Sequence, residues 1–246
     1  MDHLRSGVPE SFLVLALAFN RNDFVLAGRP QSYPLHMANN EMTNAELKPN
    51  LENIHLLAAP IMHFSVHEVE PREIMRGCDW NRLKKAIQDR ANHHCEICGR
   101  YVSHSKTDHD WIVAHEAYDI DKTNRLYKLI GVYGICKQCH DFIHLGRLNA
   151  LLQAGHVTNE YYDEVIDRAE YLLSLVNMTK ERNTDLDTVY CLEYEGQKFV
   201  NDYFPEEAKR LHDEGGVNIL HNSRSASRLP DEYYFVKLKG SRKKAK

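Results

Sequence analysis

Two Cys-x-x-Cys pairs, Cys95/Cys98 and Cys136/Cys139, constrain this chain more than any other feature of its sequence. Each pair forms a tight turn that directs two thiolates at one ion, and two such turns complete the tetrahedral four-sulfur shell of structural zinc. A single pair could act as a redox dithiol, but redox chemistry has no need of a second pair. The spacing therefore predicts that the four cysteines share one structural Zn2+.

Length and composition indicate the broad class of the protein. The chain has 246 residues, of which 43 % are hydrophobic and 27 % are charged, as in a globular protein of one large or two small domains. The other two cysteines, Cys78 and Cys191, have no partner at zinc-ligand spacing, so we predict both to be small buried residues. Cysteines that are spaced as zinc ligands fit a reducing compartment, so we expect a cytoplasmic protein.

The apolar run 12–19 is too short to cross a bilayer, which takes about 20 residues. It could be mistaken for the core of a signal peptide, but Asp2 cancels the charge of Arg5 in the segment before it. We therefore expect a buried strand or helix here, and no association with a membrane.

Positive charge is concentrated in the last ten residues. The formal net charge of −4 argues against a protein that coats nucleic acid through bulk positive charge. Residues 237–246 nevertheless hold six Lys or Arg side chains and no acid. This basic tail is either simply solvated or contacts phosphates. If it contacts phosphates, Lys243 and Lys244 are the candidate nucleic-acid-binding residues.

The pattern of apolar residues predicts a mixed α+β chain. Asp79 can cap a helix that begins at Trp80, and helical spacing predicts a long helix from Tyr161 to Val176. Between the cysteine pairs, two β-rich segments predict a hairpin that zinc closes at its base. The remaining predicted elements are hairpin strands over 111–115 and 129–135 with a polar loop over 116–128, a helix after Cys139 that ends near Gly155, a strand over 188–194, a helix over 205–214 and a loop over 215–232.

Three histidines are predicted to converge beside the cysteines. His115 lies near the end of the first hairpin strand, while His140 and His144 are four residues apart and project from one face of the following helix. If that helix packs on the hairpin, the three imidazoles meet. One neutral imidazole could take a proton from water while the others hold a divalent ion against a phosphate, so the cluster could hydrolyse phosphodiesters.

These motifs resemble those of a known family. The order Cys-x-x-Cys, strand His, Cys-x-x-Cys-His is similar to that of the HNH endonuclease superfamily, and more narrowly to a bacterial and phage group with His-Glu-x-Trp/Tyr and Cys-x-x-Cys-His-x-x-x-His-x-Gly motifs. The similarity covers residues 78–150, under a third of the chain. It implies an α+β fold with a ββα-metal core on a four-cysteine zinc knuckle.

Carried over to this sequence, the resemblance implies a role for each histidine. His115 would be the general base that activates water, with Glu116 beside it in the catalytic set. His140 would bind a catalytic Mg2+ or Mn2+, and His144 would be a second ligand or a phosphate contact. Lys137 and Arg147 are further candidate phosphate contacts.

Two departures from the family pattern leave alternatives open. Many HNH nucleases carry Asp or His as a ligand just before the base, where this chain has Ala114, and the middle Asn of the motif is missing from 131–135. His115 could therefore itself be a ligand, His140 could bind the structural zinc, and His144 could cap a helix or face solvent. Other candidates for the ligands of the catalytic ion or for the general base are Glu116, Asp119, Asp110 and the Asp108-His109 pair.

The expected organisation is an irregular N-terminal extension (1–77), an HNH-like domain (78–155), a mainly helical C-terminal extension (156–236) and the basic tail (237–246). The leading hypothesis is a metal-dependent HNH-type endonuclease that acts on DNA, with RNA the weaker candidate. The alternatives are a catalytically inactive zinc module that binds a protein or nucleic-acid partner, and a zinc hydrolase with an open metal site. A protein partner or a homo-oligomer is compatible with each of them.

Overall fold

The computed structural model describes residues 47–103, 111–181, 188–223, 225 and 228–235. These residues belong to one compact unit, Leu47–Lys246. Several sequence predictions lie outside the described residues, namely those on the apolar run 12–19, on Asp108, His109 and Asp110, and on Lys243 and Lys244 in the basic tail.

The described part of the chain contains seven α-helices. They are α1 (His55–Ala58), α2 (Pro71–Ile74), α3 (Gly77–Ala91), α4 (Lys137–Ile143), α5 (Leu145–Gln153), α6 (Asn159–Ser174) and α7 (Pro205–Gly215). Helix α6 begins where the Thr158 hydroxyl accepts a hydrogen bond of 3.2 Å from the Tyr161 backbone N–H. Helix α7 has proline in its first turn and ends at Gly216, whose φ of 63° favours glycine. Two 3-10 turns, Phe64–Val66 and Asp231–Tyr233, complete the helical elements.

Five strands form one mixed sheet in the order β1-β2-β3-β4-β5. They are β1 (Val113–Asp121), β2 (Leu126–Ile135), β3 (Cys191–Tyr194), β4 (Gln197–Asn201) and β5 (Asn218–Leu220). The β1/β2 and β3/β4 pairs are antiparallel, whereas the β2/β3 and β4/β5 pairs are parallel. A bulge shifts the hairpin register, so that Ala117 pairs with Gly131 but Tyr118 pairs with Leu129.

The β1–β2 hairpin is longer than the sequence predicts. Residues 122–125 form its turn, and the predicted loop over 116–128 is mostly strand. Polar residues are accommodated because Asp119 and Lys128 lie opposite each other as an unlike-charge pair. Asp121 stabilises the turn, since its carboxylate accepts a 2.9 Å hydrogen bond from the Asn124 backbone N–H.

Helix α3 begins three residues before the predicted start. Asp79 lies inside its first turn and bonds the Arg76 side chain (Oδ2 to Nε, 2.5 Å) rather than capping the helix. The prediction for Cys191 is confirmed because that thiol is buried, but the prediction for Cys78 is wrong because it is exposed on α3. The predicted helix after Cys139 is broken at His144, whose φ of −93° and ψ of 46° separate α4 from α5.

The C-terminal region is mixed rather than mainly helical. Helices α6 and α7 match the predicted helices closely, but residues 191–220 also add three strands to the sheet. The strand predicted over 188–194 is confirmed as β3, whereas β5 lies in the predicted loop over 215–232. Val200 and Ile219 are fully buried on these strands, so tertiary packing overrides a local sequence rich in Ser, Asn and Gly.

The main hydrophobic core holds together the elements that carry the predicted site. It joins α1, α4 and α6 to the two cysteine turns, and its fully buried members include Leu57, Ile97, Ile135 and Leu172. No helix within the described ranges is both long and apolar enough to span a membrane.

Candidate metal centres

The first cysteine pair lies in a turn directly after α3. The Cys95 N–H donates to the Arg100 carbonyl at 2.9 Å, and the Gly99 N–H donates to the Cys95 carbonyl at 2.8 Å. Gly99 has a φ of 72°, and a Cβ at this position would lie 2.1 Å from the backbone oxygen of Lys48. Only glycine therefore fits the turn that presents these two thiols.

The second cysteine pair lies where β2 passes into α4. Cys136 is the N-cap residue of α4, and Cys139 lies in its first turn. Glu96 connects the two cysteine turns, because its N–H donates to the Gly134 carbonyl at 2.9 Å and its carboxylate accepts from the Gly134 N–H at 2.5 Å. Arg90 holds the same carboxylate from the end of α3, with Nε 2.7 Å from Oε1.

The four cysteines meet in one buried cluster. Their sulfur atoms all lie within 4.8 Å of one another, and the Cys98 and Cys136 Sγ atoms are 3.8 Å apart. A tetrahedron with Zn–S bonds of about 2.3 Å has edges of about 3.8 Å. The donor set and its spacing are therefore compatible with the predicted structural zinc.

The four thiols also shift one another's pKa values. Hydrogen bonding with Cys136 raises the pKa of both Cys98 and Cys139. Hydrogen bonding to Cys139 lowers the pKa of Cys136 instead. Burial raises the pKa of Cys95, but hydrogen bonds from the other cysteines outweigh this and lower it. The thiols thus favour ionisation at two cysteines and oppose it at the other two, and a bound metal cation would stabilise all four as thiolates.

His115, His140 and His144 form a second cluster, hereafter the histidine cluster. The ring centroids lie 5.4 Å apart for His115 and His140, 5.0 Å for His115 and His144, and 4.5 Å for His140 and His144. One nitrogen atom of each ring lies within 4.8 Å of those of the others. The imidazoles from β1, α4 and the α4–α5 junction therefore meet, as their spacing in the sequence predicts.

Burial keeps two histidines of this cluster, His115 and His144, uncharged. It lowers the pKa of His115 well below 6.5, and burial together with His140 lowers the pKa of His144 to about 3. A neutral imidazole has a free lone pair, which metal binding requires. Three imidazoles, joined by no carboxylate in the part of the chain that the structure describes, suit Zn2+, Co2+ or Ni2+ better than Mg2+. Three protein ligands would leave a fourth position open.

Asp141 lies next to His140 of the histidine cluster. Its side chain is 2 % exposed, with Nδ1 of His140 3.9 Å from Oδ1, which is too long for a hydrogen bond but close enough for electrostatic orientation. The Tyr161 hydroxyl donates to Oδ2 at 2.7 Å, and Lys137 bonds the same oxygen. Burial raises the pKa of Asp141, but His140, Lys137 and Tyr161 together hold it well below its usual range. A carboxylate in this position can fix the ring orientation of a ligating histidine.

The two candidate phosphate contacts near the cluster are both engaged with Asp141. Lys137 bonds its carboxylate and the Tyr161 hydroxyl, the latter at 2.7 Å. The Arg147 guanidinium lies 3.4 Å from Oδ1 but remains 60 % exposed. Of these two cations, Arg147 is therefore the more accessible to a ligand in solution.

Glu116 does not join the histidine cluster. Successive strand residues point to opposite faces of a sheet, and the Glu116 side chain is buried near Arg72 and Glu70 instead. Burial raises its pKa, and its Oε1 atom has no hydrogen-bond partner among the described residues. Asp119 is exposed and also lies outside the cluster. The geometry therefore does not support either acid as a ligand of an ion at the three histidines.

Lys180 lies near the histidine cluster, although nothing in the local sequence indicates it. Its Nζ atom is 3.4 Å from the Ile143 carbonyl oxygen and 5.4 Å from the centre of the Phe142 ring. Its charge lowers the pKa of both His115 and His144. Lys180 lies six residues after the end of α6, where the neighbouring Glu181 N–H donates to the Ala58 carbonyl at 2.8 Å. Tertiary contacts therefore bring it there, and no motif spacing could have revealed it.

Comparisons of this chain with models of known protein families, with curated proteins and with solved structures find no match.

Proposed function

We propose that this protein is a metal-dependent HNH-type endonuclease whose divalent ion is bound by His115, His140 and His144. The observation that supports this most strongly is the convergence of the three imidazoles within 4.8 Å. They lie on a hairpin followed directly by a helix that begins at the four-cysteine cluster. This order of elements is the one that the ββα-metal core of the HNH superfamily requires.

His115 is better suited to bind the ion than to act as a separate base. One nitrogen of its ring lies within 4.8 Å of a nitrogen of each of the other two rings. N–Zn bonds of about 2.1 Å place ligand nitrogens about 3.4 Å apart in a tetrahedral site, so a small approach of the rings would let all three bind one ion. A divalent ion there would polarise a phosphoryl oxygen and lower the pKa of a water molecule in the open position. The all-nitrogen donor set favours Zn2+, Co2+ or Ni2+ over the Mg2+ or Mn2+ expected from the sequence.

Positive charge near the cluster supports a phosphate substrate. Lys180 and Arg72 both lower the pKa of His115, and Lys180 and Arg147 both lower that of His144. An anionic phosphodiester would be attracted to this part of an otherwise acidic protein. DNA is the leading substrate and RNA the second candidate, with the basic tail as a further phosphate contact.

Plasmid cleavage tests this proposal. Purified protein is incubated with supercoiled plasmid and with Zn2+, Co2+, Ni2+, Mn2+ or Mg2+ in turn, and we expect nicking with at least one transition metal and none after chelation. His140→Ala should abolish cleavage, whereas His156→Ala, which removes an exposed histidine, should leave it unchanged. An absence of cleavage with every metal would contradict the proposal.

The role of His115 can be read from the same assay. If His115 and His140 are both ligands, His115→Ala and His140→Ala should each lose activity and each regain part of it in excess metal. A pure general base would contribute about 100- to 10,000-fold to the rate, and metal would not restore that contribution. Rescue of His140→Ala alone would therefore return His115 to the role of base.

The inactive zinc module remains the second candidate function. Two observations favour it. The strand turns Glu116 away from the histidine cluster, and if all three imidazoles are metal ligands, none of them is left to act as a base. In that case the protein would bind its partner through other surfaces. It would hold structural zinc but cleave no phosphodiester.

A further inference from the structure

Lys180 is a partly buried lysine that forms no salt bridge in the described part of the chain, where the one acid that acts on its charge is the exposed Glu181. The neighbouring carboxylate of Glu181 is instead 3.5 Å from the ammonium of Lys122. Within the described ranges, Lys180 forms one hydrogen bond, a long one of 3.4 Å to the Ile143 carbonyl oxygen. An ammonium group has three donors and keeps a large desolvation cost when it is buried without an anion.

The other cations around the histidine cluster already have acidic partners. Arg147 lies 3.4 Å from the Asp141 carboxylate, and Arg72 lies 3.3 Å from that of Glu70. Lys180 forms no salt bridge with an acid of the described region, and its bond to the carbonyl of Ile143, the residue before His144, brings its positive charge close to the histidine cluster. An anion at the open position of the metal site would balance it.

We propose that Lys180 binds a non-bridging oxygen of the phosphate group that occupies the histidine cluster. The inference rests on the proposed function, because it takes the ligand of that cluster to be a phosphate. A lysine ammonium is a common phosphate ligand and acts as a point charge, so it needs no planar geometry. The contact adds affinity for phosphate-containing substrates over uncharged ones.

Titration with inorganic phosphate tests this role directly. Zinc-loaded full-length protein is titrated by calorimetry as wild type, Lys180→Met, Lys180→Arg and Lys84→Met. The last variant is the matched control, because it removes the same charge from an exposed position on α3. We expect Lys180→Met to weaken phosphate binding about 10- to 100-fold, Lys180→Arg to retain much of it, and Lys84→Met to bind like wild type.

Metal content and thermal melting, measured on the same samples, separate the possible failures. Unchanged phosphate affinity in Lys180→Met, with a lower melting temperature, would assign Lys180 only to the stabilisation of the C-terminal end of α4 and overturn the inference. Absence of phosphate binding in zinc-loaded wild type would overturn it as well. The proposed nuclease function fails separately, if wild type binds phosphate through Lys180 but cleaves no plasmid with any metal.

Discussion

At the scale of single residues, the histidine cluster combines neutral ligands with a charged support. Burial keeps His115 and His144 in the neutral form that can bind a metal ion. Asp141 stays ionised despite its burial, because Lys137 and Tyr161 bond its carboxylate behind His140. The metal-binding form is thus stabilised before an ion arrives, which reduces the reorganisation that binding needs.

Lys180 should link the stability of the protein to pH. Burial lowers its pKa from 10.5 to about 8. Between these two values the unfolded chain binds more protons at this residue than the folded protein does, so the free energy of unfolding should rise with pH. Below this window the contribution of Lys180 is constant and unfavourable. We therefore expect wild type to gain stability relative to Lys180→Met as pH rises from about 8 to 10.5.

Urea denaturation of both proteins across this window measures the effect. Lys84→Met again serves as the control, since its exposed side chain loses little solvation on folding. A difference in unfolding free energy between wild type and Lys180→Met that stays constant throughout the window would show that Lys180 keeps its ordinary pKa.

Four residues of the two clusters could be predicted together because their spacing is local. Cys136, Cys139, His140 and His144 lie within nine residues, and one short helix places their side chains. Lys180 could not be predicted, because it reaches the site through tertiary contacts, its own with Ile143 and that of the neighbouring Glu181 with Ala58. The burial of Glu116 was also missed, since its surroundings of Glu70 and Arg72 come from a distant segment.

At the scale of secondary-structure elements, the two cysteine turns connect α3, the β1–β2 hairpin and α4. Glu96 links the turns through Gly134, and a Cβ on Gly134 would lie 2.7 Å from the Cβ of Ala91 in α3. The hairpin and helix that carry the three histidines are therefore held at the four-cysteine cluster. Loss of this cluster should disturb the second site as well.

Replacement of Cys136 by Ser tests this dependence. Binding of structural zinc releases about 10 to 16 kcal/mol in small zinc peptides, so we expect the variant to lose zinc and cooperative thermal unfolding together. Cys78→Ser is the matched control, because Cys78 is exposed and lies outside the cluster. A Cys136→Ser protein with an unchanged melting temperature and full resistance to proteolysis would rule out a stabilising role of zinc here.

Among the elements, those with strong periodicity were predicted most accurately. The predicted helix from Tyr161 to Val176 corresponds closely to α6, since its apolar residues repeat over four turns. The strands β4 and β5 were missed because each has only three to five residues and gains its stability from neighbouring strands. The predicted hairpin loop was too long, because cross-strand pairing stabilises polar residues that local propensity assigns to a loop.

At the scale of the whole molecule, the sheet extends from the histidine cluster into the C-terminal region. Strand β3 pairs in parallel with β2, and a buried Asp202 fastens the far edge. Its carboxylate accepts hydrogen bonds from His221 at 3.0 Å, from the Asn222 backbone at 2.7 Å and from Tyr234 at 2.5 Å. The described residues outside 78–155 thus help to build the sheet that carries His115.

We propose that one chain binds two metal ions, one at the four cysteines and one at the three histidines. Elemental analysis of purified protein, before and after brief dialysis against a chelator, tests it most directly when wild type is compared with His140→Ala and His156→Ala. We expect two ions per chain in wild type and in His156→Ala, with the more exchangeable ion lost first, and only the cysteine-bound ion in a folded His140→Ala. One ion per chain in all three proteins would contradict the claim.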